Sequence, residues 1–212
     1  MHEIDVALSD YAIFFFTTIF AVLLLRSPVG NAGARQWLVV LFLSLAVGAF
    51  FGGTSHGFFP DNESLGNKIL WPATMIAMGV TALGAWNVGA ALVFQSRLIR
   101  LVAILSSIAF AIYCGYILLV SQAFIVAIVN YLPASLFLLV AFGVVAYKTS
   151  SRLAFAGVCG VLLTFVAAVI QQAKITVHPD YLTHNTLYHL VQLAGLWLIF
   201  LGGRWATQVS KR

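Results

Sequence analysis

A chain of 212 residues that is 62% hydrophobic and only 8% charged is not a soluble globular domain, in which about a quarter of residues carry charge. Its mean hydropathy of +1.01 and its seventeen phenylalanines fit a surface that faces lipid. The net charge of +5 does not imply a nucleic-acid partner, because the basic residues follow a membrane pattern, and Cys114 and Cys159 sit inside apolar runs with no disulfide framework.

Seven apolar runs follow one another, at about 10–26, 36–58, 70–94, 98–120, 122–147, 151–173 and 185–207, each near the ~20 residues that cross the hydrocarbon core as a helix. The expected fold is therefore all-α, one domain over 1–212 made of seven transmembrane helices. The first run is not read as a cleavable signal. Its flank is acidic (Glu3, Asp5, Asp10), and it ends at Arg26 without a small-residue cleavage site. The second run carries Ser44, Gly48, Gly52 and His56 at four-residue spacing, so small residues mark one face for close approach by another helix and that face ends in an imidazole. Asn87 is the main polar residue of the third run. Tyr113 and Tyr116 on the fourth read as interfacial aromatics, Asn130 and Tyr131 stand just before Pro133 in the fifth, and Gln171 and Gln172 close the sixth.

Orientation follows from the basic residues. With the N-terminus outside, Arg26, Arg35, Arg97, Arg100, Lys148, Arg152, Arg204, Lys211 and Arg212 lie on the inner side, and only Lys68 and Lys174 lie outside. Nine against two sets the chain N-out and C-in. All six acidic residues, including Asp61, Glu63 and Asp180, then also fall outside.

The seventh run opens on the densest polar stretch, with His178, His184 and His189 within twelve positions. A helix starting near Thr183 places Asn185, Tyr188, His189 and Gln192 at i, i+3, i+4 and i+7, on one face. In the N-out arrangement the second helix ends, and the seventh begins, at the outer surface, so His56 meets His184 and His189 at similar depth. Polar groups entering a membrane helix are costly unless they face one another or a function. His178, before Pro179, reads as a loop residue.

Imidazoles from two helices plus one more ligand make a zinc site with an open position. Bound Zn²⁺ lowers the pKa of its water to about 7 and polarises a carbonyl, chemistry suited to hydrolysing amides or esters. His56, His184 and His189 are the expected ligands, with His178 and Asp10 as alternatives for the third place. Asp10, Asn185, Tyr188, Gln192 and Ser55 are the groups available around them. The sequence carries no Gly-x-Ser-x-Gly, phosphate-binding loop, His-Glu-x-x-His or Cys-x-x-Cys, and no lysine between Lys174 and Lys211 that a retinal could use.

Seven spans, a Ser/His pair ending the second helix (Ser55-His56) and a histidine pair opening the seventh resemble the CREST superfamily, which includes alkaline ceramidases, the progestin and adipoQ receptors and Per1-type proteins. The stretch His184-Asn185-Thr186-Leu187-Tyr188-His189-Leu190-Val191-Gln192 is closest to a prokaryotic branch of that group. The resemblance implies a zinc-dependent hydrolase of lipid amides or esters, with membrane lipids of a sphingolipid-like or N-acyl kind as substrates. Ser55 would steady the oxyanion and Asp10 would move protons. Compact loops point to a prokaryotic inner membrane. The chain departs from the group at three places. The superfamily's aspartate near the second and third helices has only Asp61 as a loop candidate, and Asp10 would take its place. Position 52 is glycine where the superfamily has the serine of Ser-x-x-x-His, so Ser55 or Thr54 would substitute. Asn185 stands four residues before His189, and His184 stands five before it, about 140° away around a continuous helix. The alternative function is a small-solute or proton transporter, or a receptor, with the same helices and no hydrolysis; it would require broken helices and a site at mid-depth.

Overall fold

The computed structural model describes residues 4–28, 30–179 and 181–209. Glu3, Asp180, Lys211 and Arg212, which entered the charge assignment, lie outside the described residues. The protein is all-helical. Its seven helices are α1 (Ile4–Leu25), α2 (Ala32–Phe58), α3 (Leu65–Val93), α4 (Ser96–Leu119), α5 (Phe124–Thr149), α6 (Arg152–Gln172) and α7 (His184–Gln208). All seven are long and apolar enough to cross a membrane.

The ends of the helices follow local chemistry. Asn31, Ser64, Ser151 and Thr183 are the N-caps of α2, α3, α6 and α7, each accepting a bond from the amide three residues on. Ser150 (φ 50°), just past α5, adopts the left-handed conformation common at the end of a helix. The loop after α1 closes over the end of α7, where Gly30 N and Asn31 N both donate to Thr207 O at 2.8 Å.

Packing closes α1, α2, α3, α5, α6 and α7 into a ring, while α4 lies outside it against α3. Two polar contacts hold α4 in place. Asn87 Nδ2 donates to Ser106 Oγ (3.1 Å), and Tyr113 Oη donates to Met75 O (2.8 Å) with its ring against Gly79. Tyr113 is thus a buried packing residue, not an interfacial aromatic; the absent side chain at Gly79 makes room for its ring. The inner half of the ring is filled by Phe20, Phe42, Phe142, Phe200, Leu24 and Leu38. Phe20 and Phe200 stack at 4.7 Å between centroids, joining α1 to α7.

The small-residue face of α2 meets α3, as its spacing predicts. Ser44 Oγ and Thr81 Oγ1 are 2.9 Å apart, and a Cβ at Gly48 would lie 3.4 Å from Ala77 Cβ.

Helix alternation puts Arg26, Arg35, Arg97, Arg100, Lys148, Arg152 and Arg204 at one end of the bundle and Lys68 and Lys174 at the other. Arg204 Nε donates to Ser27 Oγ (3.1 Å) at the basic end. Labelling tests the orientation directly. In a variant lacking Cys114 and Cys159, Glu63→Cys is expected to react with an impermeant maleimide from outside intact cells, and Ser150→Cys only after permeabilisation. The reverse pattern would invert the topology.

Candidate functional site

At the outer end, on the charge assignment, a cavity of about 190 Å³ lies inside the ring. Its walls include Asp10 of α1, His56 of α2, Trp71 and Thr74 of α3, Gln171 of α6, and Tyr188 and His189 of α7. His56, Trp71 and Phe124 also line an outer vestibule of about 980 Å³, so these three form the neck between the two spaces. The His56 and Trp71 rings meet edge to face at 6.2 Å. Trp71 is fixed in turn by its indole N–H, which donates to Gln122 O (2.9 Å) in the α4–α5 loop. A smaller apolar branch shares Phe124, Gln171, Tyr188 and Gln192 with the cavity and runs between α5 and α6 past Ile128, Phe165 and Leu132, the last of these exposed on the lipid side.

The centre of the site is the seam between α1 and α7. His189 Nε2 stands 3.4 Å from Asp10 Oδ1, and His189 Nδ1 stands 2.8 Å from Ser9 Oγ. Asp10 is buried, seven residues into α1, so it lies beyond the first turn where the helix dipole would favour a carboxylate. The glycines of α2 make room for it. A Cβ at Gly53 would be 2.9 Å from Asp10 Cβ and 3.1 Å from Ala7 O, and one at Gly52 would be 3.4 Å from Asp10 Oδ2. Glycine at position 52, the departure from Ser-x-x-x-His, therefore leaves a space bordered by a carboxylate from α1. Above this level Asp5 Oδ2 accepts from Thr183 Oγ1 (2.7 Å) and Thr186 Oγ1 (2.6 Å), fastening the outer ends of α1 and α7.

The structure brings together six of the residues singled out in the sequence: Asp10, His56, Asn185, Tyr188, His189 and Gln192 all line the cavity. Four others stand elsewhere. His184 is the first residue of α7 and is not on the cavity wall; the helix is continuous from it to His189, so their rings diverge as the five-residue spacing requires. Ser55 is buried beside the vestibule, where its Oγ accepts from Asn67 Nδ2 (3.0 Å) and does not line the cavity with His189. Thr54, the other hydroxyl considered for position 52, pairs with Tyr11 Oη at 3.0 Å. His178 lies in the α6–α7 loop, its ring against Tyr181. Ser9, Trp71 and Phe124 belong to the site but carry no sequence signal of their own, since lone serines and aromatics are common in membrane helices.

Zinc can be tested against these groups. Two donors each about 2.0–2.2 Å from a tetrahedral zinc stand about 3.4 Å apart. That is the separation of His189 Nε2 and Asp10 Oδ1. The other nitrogen of His189 is hydrogen-bonded outside the cavity centre, as ligating histidines usually are. The donor chemistry and the pair spacing fit, with His56 as the third donor on the same cavity wall. Among the described residues, however, no three such side chains are gathered closely enough to enclose an ion, and His184 is not one of the cavity groups.

Neither the curated proteins nor the solved structures include a match to the chain. The profile of a family of unknown function, DUF6962, matches residues 6–208, which takes in the seven helices except the first two residues of α1, and every cavity residue named above, and the chain belongs to that family.

Proposed function

We propose that the protein is a membrane-embedded, zinc-dependent hydrolase of lipid amides or esters, with its site in the outer half of the bundle. The observation that carries the reading is the buried pair of His189 Nε2 and Asp10 Oδ1 at 3.4 Å, in a cavity that His56 also lines. With Nε2 unprotonated, that nitrogen and the carboxylate oxygen are both acceptors, and a metal ion between them, or a proton held on Asp10, would relieve the opposition. His189 and Asp10 would supply two ligands at the spacing present, and His56, on the same wall, would have to close on the ion as the third, Asp10 taking the place that the sequence left open among His184, His178 and Asp10. When bound, zinc supplies a Lewis acid for the substrate carbonyl and lowers the pKa of a bound water to about 7.

The remaining work falls to the chain's own groups. Tyr188, Asn185 and Gln192 line the cavity and offer donors toward a developing oxyanion, a role for which Ser55 is turned away. The cavity is smaller than the roughly 300–1,000 Å³ of sites that enclose a whole drug-sized ligand. It accommodates the reacting group and water, while the apolar branch past Leu132 gives an acyl chain a way in from the lipid. The vestibule leaves room for a headgroup.

Two measurements on the purified protein test the reading. Elemental analysis is expected to find about one zinc per chain. A panel of N-acyl and O-acyl lipids is expected to include one that releases fatty acid in a chelator-sensitive way. A protein that takes up no zinc on supplementation and cleaves neither class of lipid would overturn it.

A further inference from the structure

We infer that Ser9 is a positioning residue of this site, the acceptor that keeps His189 protonated on Nδ1 so that its Nε2 lone pair faces the cavity. The role in metal binding rests on the zinc reading; the tautomer does not. Ser9 Oγ lies 2.8 Å from two atoms, Val6 O one turn back on α1 and His189 Nδ1 across the seam. A serine hydroxyl has a single proton, and Val6 O, a carbonyl, can only accept it. With that proton given to Val6 O, the contact with His189 is completed by Nδ1–H donating to Ser9 Oγ. The far side of the ring agrees. Nε2 and Asp10 Oδ1, at 3.4 Å, are farther apart than the ~2.7–3.2 Å of an N–H···O bond. The nitrogen facing the cavity is thus the one without the proton.

Position explains why a serine serves here. Ser9 is buried between the cavity and a groove on the outside of the α1–α7 seam that it lines with Leu8, Ala12 and Leu190. A small hydroxyl fits within this buried contact, where a long or charged acceptor would have to displace α1 from α7. Asp10, the next residue along α1, meets the other nitrogen of the same ring, so two adjacent residues of one helix address both edges of His189.

The test reads the tautomer before any metal is added. In metal-free protein at pH 7.5, ¹⁵N spectra of labelled histidine, with His189 assigned by substitution, are expected to report a protonated Nδ1 and an unprotonated Nε2. Ser9→Thr, which keeps the hydroxyl, should retain that pattern, and Ser9→Ala should move the ring toward the Nε2–H form, which can donate to Asp10. Competition titration should give zinc binding about 10–100-fold weaker in Ser9→Ala and near wild type in Ser9→Thr. A wild-type ring protonated on Nε2, or on both nitrogens, overturns the inference even if Ser9→Ala fails to fold. So does a Ser9→Ala ring unchanged from wild type. If the tautomer behaves as stated and no variant binds zinc, Ser9 keeps its role and the metal reading alone falls.

Discussion

His189→Ala is expected to release the metal and reduce lipid hydrolysis to background, with Asp10→Asn and His56→Ala close behind. Without His189, two protein ligands remain, fewer than the three that catalytic zinc sites use. The loss also leaves the Asp10 carboxylate buried in the seam without the ring that faces it at 3.4 Å. His184→Ala and His178→Ala are the controls. His184 lies off the cavity wall at the first position of α7, and His178 lies in the loop, so both variants should keep their zinc and their turnover. Gln192→Ala, on the cavity wall one turn deeper than His189, should keep zinc and lose about 10–100-fold in activity if it supports the reacting groups. Each variant is compared by zinc content per folded chain after size exclusion, so that unfolding is not read as loss of a ligand. Zinc lost from His184→Ala and kept in Asp10→Asn would restore the three-histidine set expected from the sequence. Zinc kept in both His56→Ala and His189→Ala would end the metalloenzyme reading, and a transport function would then lead.

Which of these residues the sequence could name depended on whether their meaning was local. Seven spans were legible because a run of about twenty apolar residues needs no partner to be recognised. His56 and His189 were legible for the opposite reason, as polar groups in runs that should contain none. The start of α1 was misplaced by six residues, at 10 instead of Ile4, because Asp5, Ser9 and Asp10 break the apolar run. Their cost is met from α7, through Thr183, Thr186 and His189, and those bonds join positions about 180 residues apart. The same distance hid Ser9, and only the fold gives it a ring to hold. Tyr113 was misread because its socket, Gly79, belongs to another helix. His184 was doubtful from spacing alone, and the continuous helix turns that arithmetic into a displaced ring.

The tightest helix contact in the ring also escaped the sequence, and it predicts the largest effect on stability. The small-residue stripe of α2 stood out by its spacing, yet its Gly48 has ordinary room: an added Cβ would meet Ala77 Cβ at 3.4 Å and Thr74 O at 3.8 Å. At the α6–α7 seam the backbones themselves touch. A Cβ at Gly160 would lie 2.6 Å from Gly195 O and 2.7 Å from Ile199 N, and one at Gly202 would lie 2.7 Å from Gly157 Cα. Carbonyl and amide groups of a helix cannot swing aside as a side chain can. In lipid no hydrophobic force draws helices together, so the bundle depends on this close packing. Gly160→Leu is therefore expected to cost about 3 kcal/mol or more, at or beyond the upper end of overpacking in a well-filled core. Because α7 carries His189, Tyr188 and Gln192, the displaced helix should lose zinc as well, without any ligand being changed. Gly48→Ala should be nearly neutral, and Gly143→Ala, where nothing lies within 4 Å, should be neutral or slightly stabilising through helix propensity. Thermal melts in detergent should rank the variants in that order. A Gly160→Leu protein that melts with the wild type would mean that the α6 and α7 backbones do not meet at Gly160 and Gly195, and the seam that orients His189 would lose its support.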